Sequence, residues 1–239
     1  MAQHTVAAFD TELKDMRTAV QAMAATVDTQ MELLAEAIEQ PGSDTAQSII
    51  ALDRSVDRMQ AEIEEKIVQM IARRQPVAVD LREIIATLKI TADLERIGDM
   101  AKSCGKRLLA MNTAGQQAKS LSTLLSLANQ AKAQVVDVMA AFVARDAEAA
   151  LEVWRSDSMI DNLYTALFRE LLTYMMEDPR NIGFCTHLLF CAKNLERIGD
   201  HATNIAENVN FIVTGEQMGM DRPKGESPTV SILNATRTD

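Results

Sequence analysis

The sequence contains few of the residues that interrupt helices or build sheets. Its 239 residues include 9 glycines and 5 prolines, and aromatic residues make up only 4%. Runs of Val, Ile, Thr and Tyr, which are typical of strands, are absent. The residues that favour helices, such as Ala, Leu, Met, Glu and Arg, dominate instead. The composition therefore predicts an all-α protein.

Other absences exclude classes of partner and location. No run of about 18 apolar residues could cross a membrane, and residues 1–15 lack the apolar centre of a signal peptide. The formal net charge of -10 argues against nucleic acid or an anionic lipid surface as the main partner. Cys104, Cys185 and Cys191 fit no CxxC metal-binding spacing and are expected to be free thiols in a reducing compartment. We therefore expect a cytoplasmic protein.

Six long segments have apolar residues at steps of three and four, which is the pattern of amphipathic helices. They cover about residues 5–40, 44–74, 77–111, 116–144, 146–176 and 180–213. Short turns such as the one at Pro76 separate them. We predict two tandem antiparallel three-helix bundles, at residues 5–112 and 116–213, followed by a disordered polar tail at residues 214–239.

The hexapeptide Leu-Glu-Arg-Ile-Gly-Asp occurs twice, at residues 94–99 and at residues 195–200. A repeat at such a spacing indicates an internal duplication. Each copy places a Glu and an Asp at positions i and i+4, on one face of a helix, where two carboxylates repel each other. Each also has a glycine in mid-helix, which costs about 1 kcal/mol relative to alanine. A close approach of backbone or ligand would explain that glycine.

A second acidic pair, with the same spacing, precedes each hexapeptide on the preceding helix. Asp57 lies 19 residues before Pro76, and Glu95 lies 19 residues after it. The corresponding separations from Pro179 are 18 residues for Asp161 and 17 for Glu196. Because helices joined by a turn run antiparallel, the pairs should face each other at one height in each half. The predicted clusters are Asp53, Asp57, Glu95 and Asp99 in the first half, and Asp157, Asp161, Glu196 and Asp200 in the second.

Four carboxylates at one level of a bundle must take up protons, pair with cations or bind a metal. All-oxygen ligation favours Mg²⁺, Mn²⁺, Ca²⁺ or iron. The Glu-x-x-His motif of di-iron bundles is missing, because Gly98 and Gly199 stand where its histidines would be. His201 is a possible additional ligand, although a surface position is expected for it. The candidate counter-charges are four arginines, Arg54, Arg58, Arg96 and Arg197.

The doubled hexapeptide on the third helix of each half, preceded by Asp-x-x-x-Asp on the second, resembles the PhoU family of bacterial phosphate regulators. The resemblance covers about residues 5–213. It implies multinuclear clusters of iron, zinc, manganese or magnesium, held by the eight carboxylates named above. The two halves have nevertheless diverged, since Ser156 stands where the first half has Leu52, and Thr203 stands where it has Lys102.

The resemblance also implies a function. It predicts a negative regulator of the phosphate-starvation response and a modulator of phosphate uptake. Such a protein would link the ATPase of the phosphate ABC transporter to a sensor histidine kinase, commonly as a homodimer, and would reach the membrane only through those partners.

Two other functions are considered: a metal-dependent enzyme of the phosphohydrolase type, and a purely structural dimerising bundle without metal. The sequence has no Ser/His/Asp or Cys/His set, no P-loop and no dinucleotide motif. It also lacks a basic residue set placed to bind a phosphate next to the carboxylates. We therefore predict no catalytic residues and favour the non-enzymatic adaptor.

Overall fold

The computed structural model describes residues 2–41, 44–111 and 118–218. Within these ranges the chain forms α1 (Ala2–Glu39), α2 (Thr45–Arg74), α3 (Ala78–Ala110), α4 (Ala118–Ala144), α5 (Ala147–Glu177) and α6 (Ile182–Thr214), with a 3₁₀ turn at Pro179–Asn181. The predicted all-α architecture of two sets of three long helices is confirmed. No helix in the described part of the chain is long and apolar enough to cross a membrane.

The helix ends follow the predicted turn signals with two differences. The Asp146 carboxylate caps α5 by accepting hydrogen bonds from the backbone N–H groups of Glu148 and Ala149. Asp44, where the second helix was predicted to begin with a capping side chain, precedes α2, but its carboxylate makes no capping hydrogen bond. The 3₁₀ turn after Asp178 delays the start of the last helix, which was predicted near residue 180, to Ile182.

Parts of the predicted domain organisation lie outside the described residues. These are the linker at residues 112–115 and all but the first five residues of the tail at 214–239. The domain limits and the disordered tail therefore stay predictions.

α3 and α6 pack against each other in antiparallel fashion. Cys104 Sγ lies 3.7 Å from the carbonyl oxygen of Cys191, and Cys191 Sγ lies 3.9 Å from that of Cys104. Further along the pair, about ten residues away on each helix, His201 Nδ1 lies 2.8 Å from Asp93 Oδ1. These two contacts bracket the hexapeptides, so the two copies lie side by side where α3 crosses α6.

The other helices are arranged around this central pair. α1 packs along α4, α2 packs on α1 and α3, and α5 packs on α4 and α6. Within the described ranges α2 and α5 do not contact each other. The two helices that carry the Asp-x-x-x-Asp pairs therefore lie on different flanks of the molecule, each against the hexapeptide helix of its own half.

The apolar stripes predicted from the sequence form the core. Leu94, Ile97, Leu195 and Ile198 of the two hexapeptides are fully buried, and burial of such a side chain contributes about 1.5–3 kcal/mol. The stripe of α1 is rich in methionine, a flexible residue that fills irregular gaps between helices. Its fully buried members include Met16, Met23 and Met31.

One buried carboxylate joins the two halves. Glu83 on α3 is 4% exposed and pairs with Arg17 of α1. Its other oxygen lies 2.8 Å from Nη1 of Arg145, in the turn between α4 and α5. Burial by itself would raise the pKa of Glu83, but the two guanidinium groups outweigh it, and the pKa is lowered. The pair of arginines therefore keeps this buried side chain ionised.

Candidate functional site: two acidic clusters between helices

In the first half, the predicted carboxylates of α2 and α3 meet at a lysine. Lys102 Nζ lies 2.5 Å from Asp53 Oδ2 and 2.6 Å from Asp99 Oδ1. Lys102 follows Asp99 by three residues, so it leaves α3 on the same face and reaches across to α2. Asp53 is only 3% exposed, and a carboxylate this deeply buried needs a charged or hydrogen-bonding partner. The ammonium group supplies that partner and connects the two acidic helices.

The members of this cluster act on one another's pKa values. Burial raises the pKa of Asp53, Lys102 offsets part of the increase, and Asp57 and Asp99 add to it. Burial also raises the pKa of Glu95, and Asp99 and Asp57 raise it further. Burial opposes the charged form of Lys102, but the carboxylates of Asp53 and Asp99 outweigh it and raise the pKa of the ammonium group. The structure thus brings together the four carboxylates predicted for the first half.

The counter-charge in this cluster differs from the prediction. Arg96, one of the four candidate arginines, is 61% exposed in its side chain and lies 3.5 Å from Glu95 and 3.9 Å from Asp99. An exposed pair at such distances contributes little. Lys102 is the close partner, and the sequence offered a signal for it, since a lysine three residues after Asp99 lies on the acidic face.

In the second half a neutral side chain occupies the position of Lys102. Asp157 is 2% exposed, and its Oδ1 accepts a hydrogen bond of 3.3 Å from the hydroxyl of Thr203. The same hydroxyl lies 3.0 Å from the carbonyl oxygen of Gly199. Thr203 is fully buried between α5 and α6. The buried aspartate of the second half therefore contacts a hydroxyl at the place where its counterpart contacts an ammonium group.

The remaining carboxylates of the second half also come together. Burial raises the pKa of Glu196, Lys193 offsets part of the increase, and Asp200 and Asp161 add to it. Lys193 Nζ lies 2.6 Å from Glu196 Oε2, but this lysine is half exposed, at the outer edge of the cluster. Three of the four predicted carboxylates of the second half, Asp161, Glu196 and Asp200, therefore lie close enough to act on one another, while the contact described for Asp157 is the hydroxyl of Thr203.

These carboxylates lie near one another, but they are not arranged as the ligands of a metal ion. Among residues 2–41, 44–111 and 118–218, no group of three or more His, Cys, Asp or Glu side chains is arranged to hold a metal ion. The donor set of the second half, all carboxylate oxygens, is nevertheless the one that hard cations prefer. In the first half the ammonium group of Lys102 lies between two of the four carboxylates.

The first helix of each half carries a buried glutamine near the acidic cluster that was not predicted. Gln30 is fully buried, and its Nε2 donates to the carbonyl oxygen of Ile49 at 3.2 Å. Ile49 precedes Asp53 by one turn of α2. Gln30 is a polar residue on the otherwise apolar stripe of α1, and this exception could have predicted a buried hydrogen bond from the sequence.

The second half repeats this contact through one additional side chain. Gln134, 2% exposed, donates from Nε2 to Ser156 Oγ at 3.1 Å, and that hydroxyl donates to the carbonyl oxygen of Val153 at 2.8 Å. Val153 precedes Asp157 by one turn, as Ile49 precedes Asp53. The exchange of Leu52 for Ser156 is therefore explained, since the serine completes a link between α4 and the acidic helix α5.

The same glutamines lie against the glycines of the hexapeptides. A Cβ atom added at Gly98 would lie 2.9 Å from Gln30 Oε1. One added at Gly199 would lie 2.8 Å from Ile160 Cδ1 and 3.2 Å from Gln134 Oε1. The distances of 2.9 Å at Gly98 and 2.8 Å at Gly199 are shorter than real Cβ atoms allow. The glycines thus allow the three helices of each half to approach closely at the level of the acidic clusters.

His201 was expected at the surface, but its side chain is only 18% exposed and its Nδ1 lies 2.8 Å from Asp93 Oδ1 on α3. Asn204 Nδ2 lies 3.4 Å from the same oxygen. These polar residues join the halves next to the crossing of α3 and α6. The assignment of His201 as an additional metal ligand stays a prediction.

Comparison with known proteins agrees with this architecture. The model of the PhoU domain matches residues 20–108 and again residues 124–209. The "Phosphate-specific transport system accessory protein PhoU homolog" of Caulobacter vibrioides is 45% identical over 94% of this chain and 97% of its own length. The protein of the same name from Rhizobium meliloti is 45% identical over 93% of this chain and 94% of its own. The crystal structure of PhoU from Pseudomonas aeruginosa covers 87% of this chain and all of its own with a TM-score of 0.84 at 38% identity. Both sequence and fold therefore show that the chain belongs to the PhoU family.

Proposed function

We propose that this chain is an accessory protein of phosphate-specific transport that restrains phosphate uptake and the phosphate-starvation response when phosphate is plentiful. The observation that carries the proposal is the similarity, at 45% identity over 94% of the chain, to a protein named for that transport system. In this proposal the chain is a cytoplasmic, non-enzymatic homodimer that contacts the transporter ATPase and a sensor histidine kinase.

The proposal includes a hard metal ion in the second acidic cluster. Support comes from the all-oxygen donor set and from the pKa of Glu196, which is raised first by burial and then by repulsion from Asp200 and Asp161. A divalent cation would relieve this repulsion and clamp α5 to α6. The residues that would hold it are Asp157, Asp161, Glu196 and Asp200. Magnesium, manganese and iron suit such donors better than zinc, which favours nitrogen and sulfur ligands in structural sites.

Regulation is tested in a bacterium from which the gene for this protein has been deleted. Expression of the chain should restore repression of a phosphate-starvation reporter in high phosphate, and tagged chain should co-purify the transporter ATPase and the sensor kinase. The double variant Asp157→Asn, Asp200→Asn should restore repression less well. Asp137→Asn, which changes an exposed carboxylate on α4, is the matched control. A wild-type chain that neither restores repression nor captures either partner would contradict the proposal.

Metal binding is tested on purified protein. The chain is purified without chelator for elemental analysis, then stripped with EDTA and titrated with Mn²⁺. The double variant should lose the tightly bound metal, whereas Asp137→Asn should keep it. Equal metal content in the two variants would show that the second cluster is not the site. Hydrolysis of p-nitrophenyl phosphate by the Mn²⁺-loaded wild type, lost in the double variant, would favour the enzyme instead.

A further inference from the structure

The two acidic clusters differ in one side chain that faces the buried aspartate. In the first half this side chain is Lys102, whose Nζ lies 2.5 Å from Asp53 and 2.6 Å from Asp99. In the second it is Thr203, whose hydroxyl lies 3.3 Å from Asp157. Each half has the same acidic pairs on its second and third helices and a buried glutamine behind them. The second half also differs at Ser156, which replaces Leu52, and at the half-exposed Lys193, whose Nζ lies 2.6 Å from Glu196 at the outer edge of the cluster.

We propose that Lys102 is a built-in cation that replaces a metal ion in the first cluster, so that this chain binds metal in the second cluster only. The part that concerns the second cluster rests on the proposed function. The part that concerns Lys102 rests on the geometry of the first cluster alone.

The contacts of Lys102 are those that a bridging metal ion would make. Its ammonium group contacts one carboxylate from α2 and one from α3, and so connects the same two helices. Metal–oxygen distances of about 2.0–2.6 Å are typical of hard divalent cations, so a metal on these two oxygens would compete with the ammonium group for the same lone pairs. It would also lie next to a positive charge that stays attached to α3 through the Lys102 side chain.

Burial strengthens the attraction between the Lys102 ammonium group and the Asp53 carboxylate. The side chain of Asp53 is 4% exposed and that of Lys102 is 23% exposed, so water screens the pair poorly. A buried carboxylate that already has a tethered cation gains little from a second one. The first cluster therefore has its helices joined at all metal concentrations, whereas the second responds to the metal supply.

Exchange of the two side chains is the direct test. Lys102→Thr gives the first cluster the residue found in the second, and Thr203→Lys does the reverse. Lys106→Thr removes an exposed lysine one turn further along α3 and serves as the control. Each EDTA-stripped protein is titrated with Mn²⁺, and bound metal is counted by elemental analysis and by the loss of the free-ion EPR signal.

The two exchanges should change the amount of bound Mn²⁺ in opposite directions. Lys102→Thr should about double the tightly bound Mn²⁺ per chain, because a second ligand set becomes available. Thr203→Lys should lose most of the Mn²⁺ that the wild type binds, and Lys106→Thr should match the wild type. If Thr203→Lys does not fold, Lys102→Thr alone decides. If the wild type binds Mn²⁺ and Lys102→Thr binds no more of it than the wild type, the proposal is overturned.

A metal-free measurement separates this proposal from the one on which it rests. In EDTA, Lys102→Thr should melt at a lower temperature than wild type, because Asp53 loses its partner, and Asp53→Asn in the same chain should recover part of the loss. If no protein binds Mn²⁺ but this pattern holds, the metal site of the proposed function fails and the built-in cation stands. If Lys102→Thr melts like Lys106→Thr, the built-in cation is refuted whatever the metal content.

Discussion

Gly199→Ala tests whether close helix packing is the reason for the glycine in the hexapeptide. The added Cβ would lie 2.8 Å from Ile160 Cδ1 and 3.2 Å from Gln134 Oε1. Ile160 is fully buried, and Gln134 is held by its hydrogen bond to Ser156. Both crowded atoms are ends of side chains, but Ile160 must repack among buried neighbours to move, and Gln134 must strain the link from α4 to α5.

The size of the effect follows from two opposing contributions. Overpacking a close-packed core costs about 1–3 kcal/mol, while alanine in place of glycine stabilises a helix interior by about 0.5–1 kcal/mol. The net loss of unfolding free energy should be about 0–2.5 kcal/mol, which for a chain of this size lowers Tm by up to about 10 °C. Gly98→Ala should act in the same direction but less, because the crowded atom is the end of the Gln30 amide.

Gly183→Ala is the matched control. It lies in α6 as well, but its added Cβ would have no atom within 4 Å. It should therefore keep or raise Tm, by the helix-propensity contribution alone. Thermal unfolding is followed by circular dichroism in EDTA, so that metal does not mask the differences. If Gly199→Ala and Gly98→Ala are as stable as Gly183→Ala, close packing at the hexapeptides is not what requires glycine.

Three further outcomes are expected from contacts outside the acidic clusters. Glu83→Gln should lower the unfolding free energy at pH 7 by about 1–3 kcal/mol, because charged hydrogen bonds are lost. The pKa of Glu83 is lowered by its arginines, so its contribution is present above the ordinary glutamate value of 4.5 and is lost as the pH falls through the folded value. Urea titrations of wild type and variant should therefore converge in acid, and a constant difference would contradict this. Gln134→Leu should lower the unfolding free energy measured in urea by about 1 kcal/mol, because Ser156 Oγ loses its hydrogen-bond donor. An unchanged unfolding free energy would show that the hydrogen bond between Gln134 and Ser156 is not needed for stability. All three cysteines are buried, namely Cys104, Cys185 and Cys191. Ellman's reagent should therefore label them only when the protein unfolds. Rapid labelling of the native protein would contradict the packing of α3 on α6.

The sequence predicted the helices and the pairing of the acidic residues because both depend on local regularities. A step of three or four residues fixes which face of a helix is apolar, and it does so wherever the helix packs. Equal distances from a proline turn fix the relative height of residues on two antiparallel helices. Those two rules predicted that Asp53 and Asp57 face Glu95 and Asp99, and Lys102 joins Asp53 to Asp99 in the structure. The matching arrangement of Asp157 and Asp161 opposite Glu196 and Asp200 stays a prediction.

The partners of those carboxylates did not follow from the same rules. Arg96 is as close in sequence to Asp99 as Lys102 is, but it points largely to solvent, while Lys102 reaches the buried Asp53. Which of the two becomes the counter-charge depends on how α2 packs on α3. The pairing of His201 with Asp93 of the other half likewise depends on the antiparallel crossing of α3 and α6, which no spacing within one half encodes.

By itself, the sequence determined that the chain is a duplicated set of three helices with an acidic pair on two helices of each set. Periodicity and repetition are properties of the chain, and they survive any arrangement of its halves. Only the tertiary structure decided that the two hexapeptides lie side by side at the crossing of α3 and α6, and that Lys102 lies among the carboxylates of one half where Thr203 lies in the other. The physical reason is that charge compensation and close packing depend on distances of a few ångströms between helices that are far apart in sequence.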